Sequence, residues 1–401
     1  MTFFSAMENL LQHSDWRETI VSLRRYLDER GFQSIYKHHA SAARYHLFTS
    51  IFSSLNPDFL RLLSERPGEG FPGCRLACCL TARRSVDIVT LDEEEAALAA
   101  RLADIGLVAI RDGIITPGEV QLIGAEDCYV LIDAAIHFRM KRVHEIYIGA
   151  DTMLLMHYLP DSGNREGRMA LDACSGSGVV GLHMAKSHER VVSTDIASAP
   201  LALIRVNAVL NGVEERISVR KEALADTLSS GSRYDLVVCN PPFVAFPRGF
   251  GPPVYAAGTE QDGLGYLRLL LEKVPALLRP EGEGYFVADL PGDGLEPHFF
   301  RELSERAIQF GFVADAFVDN RVPADIHVKA MSGFLGALKP EADPGDIVRL
   351  TREFVEQTLN ATHFYLTTMR IRKSSSPGFR AFNQFGARRF EDYFAGGKIG
   401  K

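Results

Sequence analysis

Between Arg168 and Ala185 the chain reads RMALDACSGSGVVGLHMA. A short apolar run reaches Asp172, a turn of small residues comes next (Cys174, Ser175, Gly176, Ser177, Gly178), and an apolar helical pattern begins at once. Strand, glycine-rich turn and helix start, in that order, suit a nucleotide-type site. Glycine lets the backbone approach a ligand closely, and the first N–H groups of a helix have no partner within it.

The pattern continues downstream. RMALDA, RVVSTD, ISVRKE, YDLVVCN, GYFVADL, VADAFVD and HFYLTTMRIR read as strands, with helical periodicity between them at 179–186, 200–210, 264–278, 297–310 and 347–359. Seven strands alternating with helices predict an α/β fold, Rossmann-like and doubly wound, with a mostly parallel sheet and ligands at the carboxyl ends of its strands. A long insert, 323–359, separates the last two strands. After Lys373 the periodicity is lost, so 374–401 reads as a tail, partly ordered against the sheet or a partner.

Upstream the texture differs. Residues 1 to about 80 show apolar residues at helical spacing, and Tyr36, Lys37, His38, His39, Arg44, Tyr45 and His46 make a polar-aromatic set that reads as a solvated helix face. From about Ser85, SVDIVTL reads as a strand, Asp92 or a neighbour caps an amphipathic helix, and 110–133 reads as short strands with turns at Gly113, Gly118 and Gly124. Helix followed by β-hairpin is a winged-helix-like order. The helix is acidic at its start and carries only Arg101 in its body, which favours a structural or acceptor-presenting role over groove reading. The domains expected are therefore 1–140 (accessory, winged-helix-like from about 85), 141–373 and the tail. At 401 residues, two or three domains are the norm.

Composition excludes more than it identifies. A net charge of -7 gives no general attraction for nucleic acid, although Arg380, Arg388 and Arg389 place positive charge in the tail. No apolar run is long enough for a membrane span, and the N-terminus does not read as a secretory signal. Cys74, Cys78, Cys79, Cys128, Cys174 and Cys239 lack metal-site spacing and read as reduced thiols, which fits a cytoplasmic protein.

Three further residue sets carry chemistry. Asp195 closes the second strand, where a carboxylate accepts hydrogen bonds from a ribose diol. Glu222, with the Ala223 N–H beside it, ends the third strand and suits an adenine amine. The fourth strand ends Asn240-Pro241-Pro242-Phe243. Neither proline has an N–H and both fix φ, so the turn is rigid and its carbonyls are free to accept. The Asn240 side-chain oxygen and the Pro241 carbonyl together suit a planar NH2 group, with Phe243 stacking against it. Hydride transfer gives no reason for that turn, and the G-x-G-x-x-G spacing is absent.

Together these residues resemble the class I S-adenosylmethionine-dependent methyltransferases, in the Asn-Pro-Pro-Phe branch that includes HemK-type glutamine methyltransferases, ribosomal-RNA guanine-N2 enzymes and adenine-N6 enzymes. The resemblance covers about 146–290. It implies S-adenosylmethionine as cofactor, held by Asp172, Cys174 (where many members carry Gly), Ser175, Gly176, Gly178, Asp195, Ile196, Glu222, Ala223 and Asn240. It gives the catalytic role to Asn240, Pro241, Pro242 and Phe243. Gly258 to Leu264 is similar to a G-x-D-G-L stretch of the HemK-like enzymes, and Phe243, Tyr255, Glu260 and Asp262 are the expected acceptor contacts. Gly149-Ala150-Asp151-Thr152 lies where those enzymes have a Pro-Arg-x-Asp/Glu-Thr segment, without the Pro-Arg. No metal is implied. The function expected is methyl transfer to a planar amide or amine nitrogen, on a protein glutamine-type amide or a small amine metabolite. The alternatives are a ribosomal-RNA base and a non-enzymatic S-adenosylmethionine-binding scaffold. Alignment is expected to suffice, with Asp262 the nearest candidate for a base.

Overall fold

The computed structural model describes residues 2–33, 75–125, 127–136, 146–160, 166–251 and 255–383. The polar-aromatic set at 36–46, Cys74, Arg388 and Arg389 lie outside them. The large sheet has eight strands in the order β13-β11-β12-β10-β9-β6-β7-β8. They are β6 (Met169–Ala173), β7 (Arg190–Asp195), β8 (Ile217–Lys221), β9 (Tyr234–Cys239), β10 (Leu278–Gly292), β11 (Phe312–Pro323), β12 (His363–Lys373) and β13 (Gly378–Asn383). All seven expected strands are present, and the β6–β9, β9–β10 and β7–β8 pairs are parallel.

The eighth strand lies in the stretch that reads as a tail, and it lies against the sheet. Gly378 to Asn383 pairs parallel with β11. The pairing is fastened by Arg380, whose Nε donates to Asp315 Oδ1 at 2.6 Å, and by Phe382 stacked on Phe317 with centroids 5.4 Å apart. Arg380 is therefore engaged within the fold.

Contacts divide the chain into two compact units, 1–153 with 175–221, and 154–174 with 222–401. In the first, α1 (Phe3–Gln12), α2 (Trp16–Glu29), α3 (Arg75–Ala82) and α4 (Glu93–Asp104) share one apolar core with α7 (Ser198–Asn211), through Phe3, Met7, Ile20, Leu23, Leu203, Val206 and Leu210. Asp92 caps α4, accepting from the Glu95 N–H at 2.9 Å. The expected strand at 85–91 is only β1 (Val86–Asp87), because Asp87 accepts from the Val89 N–H and turns the chain into a 3₁₀ helix at Ile88–Thr90. With β2 (Val108–Arg111) and β3 (Ile114–Pro117) it makes a three-stranded antiparallel sheet, and β4 (Val120–Ala125) and β5 (Cys128–Asp133) form a separate hairpin.

The edge of β5 is satisfied without a further strand. Asn207 and Asn211, one turn apart on α7, each accept from and donate to the backbone of β5. The Leu131 and Tyr129 N–H groups donate to their Oδ1 atoms at 2.8 and 2.9 Å, and their Nδ2 atoms donate to the same residues' carbonyls at 3.0 and 2.7 Å. Two side-chain amides stand in for a neighbouring strand.

In the second unit the 323–359 insert holds α11 (Ala324–Leu338) and α12 (Pro344–Glu353), followed by a wider π turn at Phe354–Thr358. Asp343 caps α12, accepting from the Asp346 N–H at 3.0 Å. The sequence pattern marked only the second helix, since Gly333 and Gly336 dilute the first. Among the described residues the cysteines are free, no group of His, Cys, Asp and Glu suits a metal ion, and no helix is long and apolar enough to cross a membrane.

Candidate functional site

The turn after β6 takes its shape from alternating left-handed residues. Cys174, Gly176 and Gly178 have φ of 55°, 50° and 78°. The intervening Ser175 is tied down, its N–H and hydroxyl both donating to the Thr194 carbonyl at 2.9 and 3.1 Å. Gly178 is required twice over: its φ excludes most side chains, and a Cβ there would lie 2.6 Å from Ile204 Cγ1. Cys174 adopts the same conformation with a side chain, at a cost of about 1–2 kcal/mol. Asp172 is buried at the end of β6.

Asp195 is oriented by the same turn. Gly176 N–H donates to its Oδ2 at 3.0 Å, and Ala197 N–H donates to its Oδ1 at 2.9 Å. Burial pushes its pKa up, while the backbone donors from Ala197, Gly176 and Ile196 pull the other way. Three backbone donors take up most of the four lone-pair sites of the carboxylate and leave room for an outside donor. Beside it Ile196 is 56% exposed, a large apolar side chain left facing solvent. A fixed carboxylate next to an exposed apolar side chain has the chemistry that a ribose diol and a flat base call for. In the other unit Glu222 is half-buried, accepts from Thr227 Oγ1 at 3.3 Å, and is followed by Ala223 at the start of α8 (Leu224–Leu228).

After β9, Asn240, Pro242 and Phe243 are half-buried and Pro241 is buried. The next residues are laced to a loop further along the chain. Val244 N–H donates to the Ala256 carbonyl, and Gly258 N–H donates to the Val244 carbonyl, each at 3.0 Å. Gly263, at φ 79°, approaches so closely that a Cβ would lie 2.3 Å from the Phe243 carbonyl oxygen and 2.8 Å from the Ala245 nitrogen. The Gly258–Leu264 stretch marked in the sequence is thus joined backbone to backbone with the Asn-Pro-Pro-Phe turn, and half-buried Tyr255 lies just before it.

Asp262 has a defined role in that loop. Its Oδ1 accepts from the Leu264 N–H at 3.1 Å, and Arg268 on α9 (Gly265–Leu277) holds it from two sides at 2.9 and 2.7 Å. Arg268 also reaches Glu260 at 2.5 Å and Glu302, on α10 (Phe299–Phe310), at 2.8 Å. Despite burial, this arginine holds the Asp262 carboxyl below its ordinary range. Together these residues line a cavity of about 550 Å3, with Pro291, His298 and Phe299. Nothing in the sequence marked Arg268 or Glu302, because their partners become neighbours only when α9 and α10 pack.

Residues 146–248 match the family model described as Methyltransferase small domain. That segment takes in β6 to β9 and the turns that leave them, within a mostly parallel, Rossmann-like sheet. The chain is similar to the ribosomal protein uL3 glutamine methyltransferase of Bordetella pertussis, 30% identical over 122 residues, 28% of this chain and 41% of that protein. It is also similar to the tRNA1(Val) (adenine(37)-N6)-methyltransferase of Aeromonas hydrophila, 31% identical over 139 residues, 34% of this chain and 56% of that one. The chain therefore spans about half the length, or less, of these relatives. Among solved structures, a SAM-dependent methyltransferase from Agrobacterium tumefaciens is 16% identical, with a TM-score of 0.38 over 64% of this chain and 70% of its own.

Proposed function

We propose that this protein is an S-adenosylmethionine-dependent N-methyltransferase whose acceptor is a planar amide or amine nitrogen, on a protein glutamine-type side chain or a small amine. The observation that carries the proposal is the rigid Asn-Pro-Pro-Phe turn fastened through Val244 and Gly263 to the Gly258–Leu264 loop. Such a turn holds an acceptor NH2 between the Asn240 oxygen and the Pro241 carbonyl, with Phe243 fixing its plane. Asp195 and Glu222 would hold ribose and adenine, Ile196 the base face, and Asp172, Cys174, Ser175, Gly176, Gly178 and Ala223 the rest of the cofactor. The bound cofactor supplies a methyl group already activated on sulfonium. Asp262, committed to Arg268, positions the loop, while Tyr255 and Glu260 contact the acceptor. The similarity to enzymes named for a glutamine and for an adenine amine supports an NH2-bearing acceptor, protein or RNA.

The test is calorimetric titration with S-adenosylmethionine, combined with mass spectrometry of proteins, rRNA and small molecules from cells with and without the gene. Wild type binds, Asp195→Ala loses binding, Asn240→Ala binds normally, and one acceptor gains the mass of a CH2 group only when Asn240 is present. Absence of heat with wild type, or no mass gain in any pool, ends the proposal.

A further inference from the structure

One His–Asp pair in the second unit includes none of the residues assigned above to cofactor or acceptor. His327, on α11, has Nδ1 3.4 Å from Asp289 Oδ2, and the side chains are 17% and 25% exposed. The imidazole lies flat on Phe364, centroids 3.5 Å apart and planes 4° from parallel. Among the described residues, His327 Nε2 and Asp289 Oδ1 are buried without a hydrogen-bond partner. Buried polar atoms left unpaired are rare and costly, so two in one pair point to a partner that arrives during function.

The register shows where the pair stands. β9 and β10 run parallel with Cys239 opposite Phe286. One step further brings Asn240 level with Val287, and alternation puts both on the face that carries Asp289. Strand spacing and rise place the Asn240 and Asp289 Cα atoms about 8 Å apart. Phe364, beneath the imidazole, is opposite Pro291 on that same face. Val328, next to His327, shares an apolar cluster with Phe364 and Ala245, two residues beyond Phe243. The insert thus brings an imidazole to the acceptor side of the sheet.

We infer that His327 is the proton acceptor of the methyl-transfer step and that Asp289 fixes its Nδ1–H. This deepens the proposed function and rests on it. The acceptor nitrogen's lone pair forms the N–C bond as the C–S bond of the sulfonium donor breaks, with its electron pair left on sulfur. The proton shed by that nitrogen goes to Nε2, and the imidazolium lies against the Asp289 carboxylate. The acceptor class is accordingly a nitrogen that still bears hydrogen. A planar amide or aryl-type amine within that class loses its proton as the N–C bond forms or just after it. The long Nδ1–Oδ2 separation is ordinary for a pair that tightens when substrate is bound.

The test uses the full chain with His327→Gln, His327→Ala and Asp289→Asn, and the acceptor identified by its mass gain in cells carrying the gene. Expected are unchanged calorimetric affinity for S-adenosylmethionine, an unchanged melting temperature for His327→Gln, and a fall in kcat of about a hundredfold with little change in KM. Added imidazole should restore His327→Ala about tenfold, and Asp289→Asn should fall between wild type and the His327 variants. A kcat within about twofold of wild type, or a loss that imidazole does not repair, overturns the assignment. Nitrogen-15 NMR of the histidine rings gives a readout without any acceptor. Nδ1 protonated with Nε2 bare supports the pair, and the reverse tautomer sinks it. No mass gain in any pool defeats the proposed function instead, leaving the pair to be judged by its tautomer.

Discussion

β6 and β9 are parallel neighbours, yet the turns that leave them are built by opposite means. The first is shaped by its own backbone: three left-handed residues in five and a serine tied to Thr194. The second has no positive φ from Asn240 to Ala245. It is held by two prolines and by contacts with a loop some twenty residues later, itself anchored by Arg268. A turn set by torsions survives changes around it, whereas a turn set by distant contacts depends on each of them.

The most severe way to break this contrast is to place the same methyl group on both sides. Gly263→Ala drives a Cβ into the Phe243 carbonyl and the Ala245 nitrogen at a left-handed position. A cost of about 3 kcal/mol or more, with loss of methyl transfer, is expected in urea melts and activity assays. Gly178→Ala meets only the Ile204 side chain, which can move, so about 2 kcal/mol is expected there. Equal costs would mean that the two turns are not differently built.

Arg268→Met tests the anchor next. It leaves Glu260, Asp262 and Glu302 without their shared cation, at a cost of about 2 kcal/mol after allowance for the solvent these carboxylates still see. Against burial, the arginine helps hold Asp262 below its ordinary pKa and, together with Arg306, does the same for Glu302. Their stabilisation is therefore full above the unfolded carboxylate range and is lost as pH falls through the depressed values. Wild type and variant should differ at neutral pH and converge below about pH 4 in thermal melts.

Asp195→Asn sharpens the cofactor side, with a loss of about tenfold to a hundredfold in S-adenosylmethionine affinity by calorimetry and little change in melting temperature. The smallest effect has the opposite sign. Cys174→Gly relieves a left-handed side chain at φ 55° but frees the unfolded chain, for a net gain of about 0.5 kcal/mol in the urea midpoint. Destabilisation would mean that the thiol itself holds the turn.

Legibility in the sequence divides along the same line. The strands from Met169 to Lys373, the glycine turn and the Asp92 cap rest on periodicity, φ preferences and a bond between residues close in the chain, and Asp195 was marked by its place at the end of β7. The 85–91 strand failed because Asp87 turned the chain locally. The eighth strand was hidden for another reason: Gly378–Asn383 has no alternation of its own, and its place beside β11 depends on Asp315, some sixty residues earlier. Arg268, Glu302, Asp289 and His327 were equally silent, each being an ordinary polar residue until helices α9, α10 and α11 are packed against the sheet.

By itself the sequence determined the alternating α/β order, the three glycine-like positions after β6 and the proline-locked turn after β9, because torsional limits and side-chain periodicity act over a few residues. Only the tertiary structure decided what surrounds that turn: the Gly263 contact, the arginine that binds three carboxylates, the added β13 and the imidazole on Phe364. Those depend on distances between residues far apart in the chain, and no local rule fixes such distances before the core has closed.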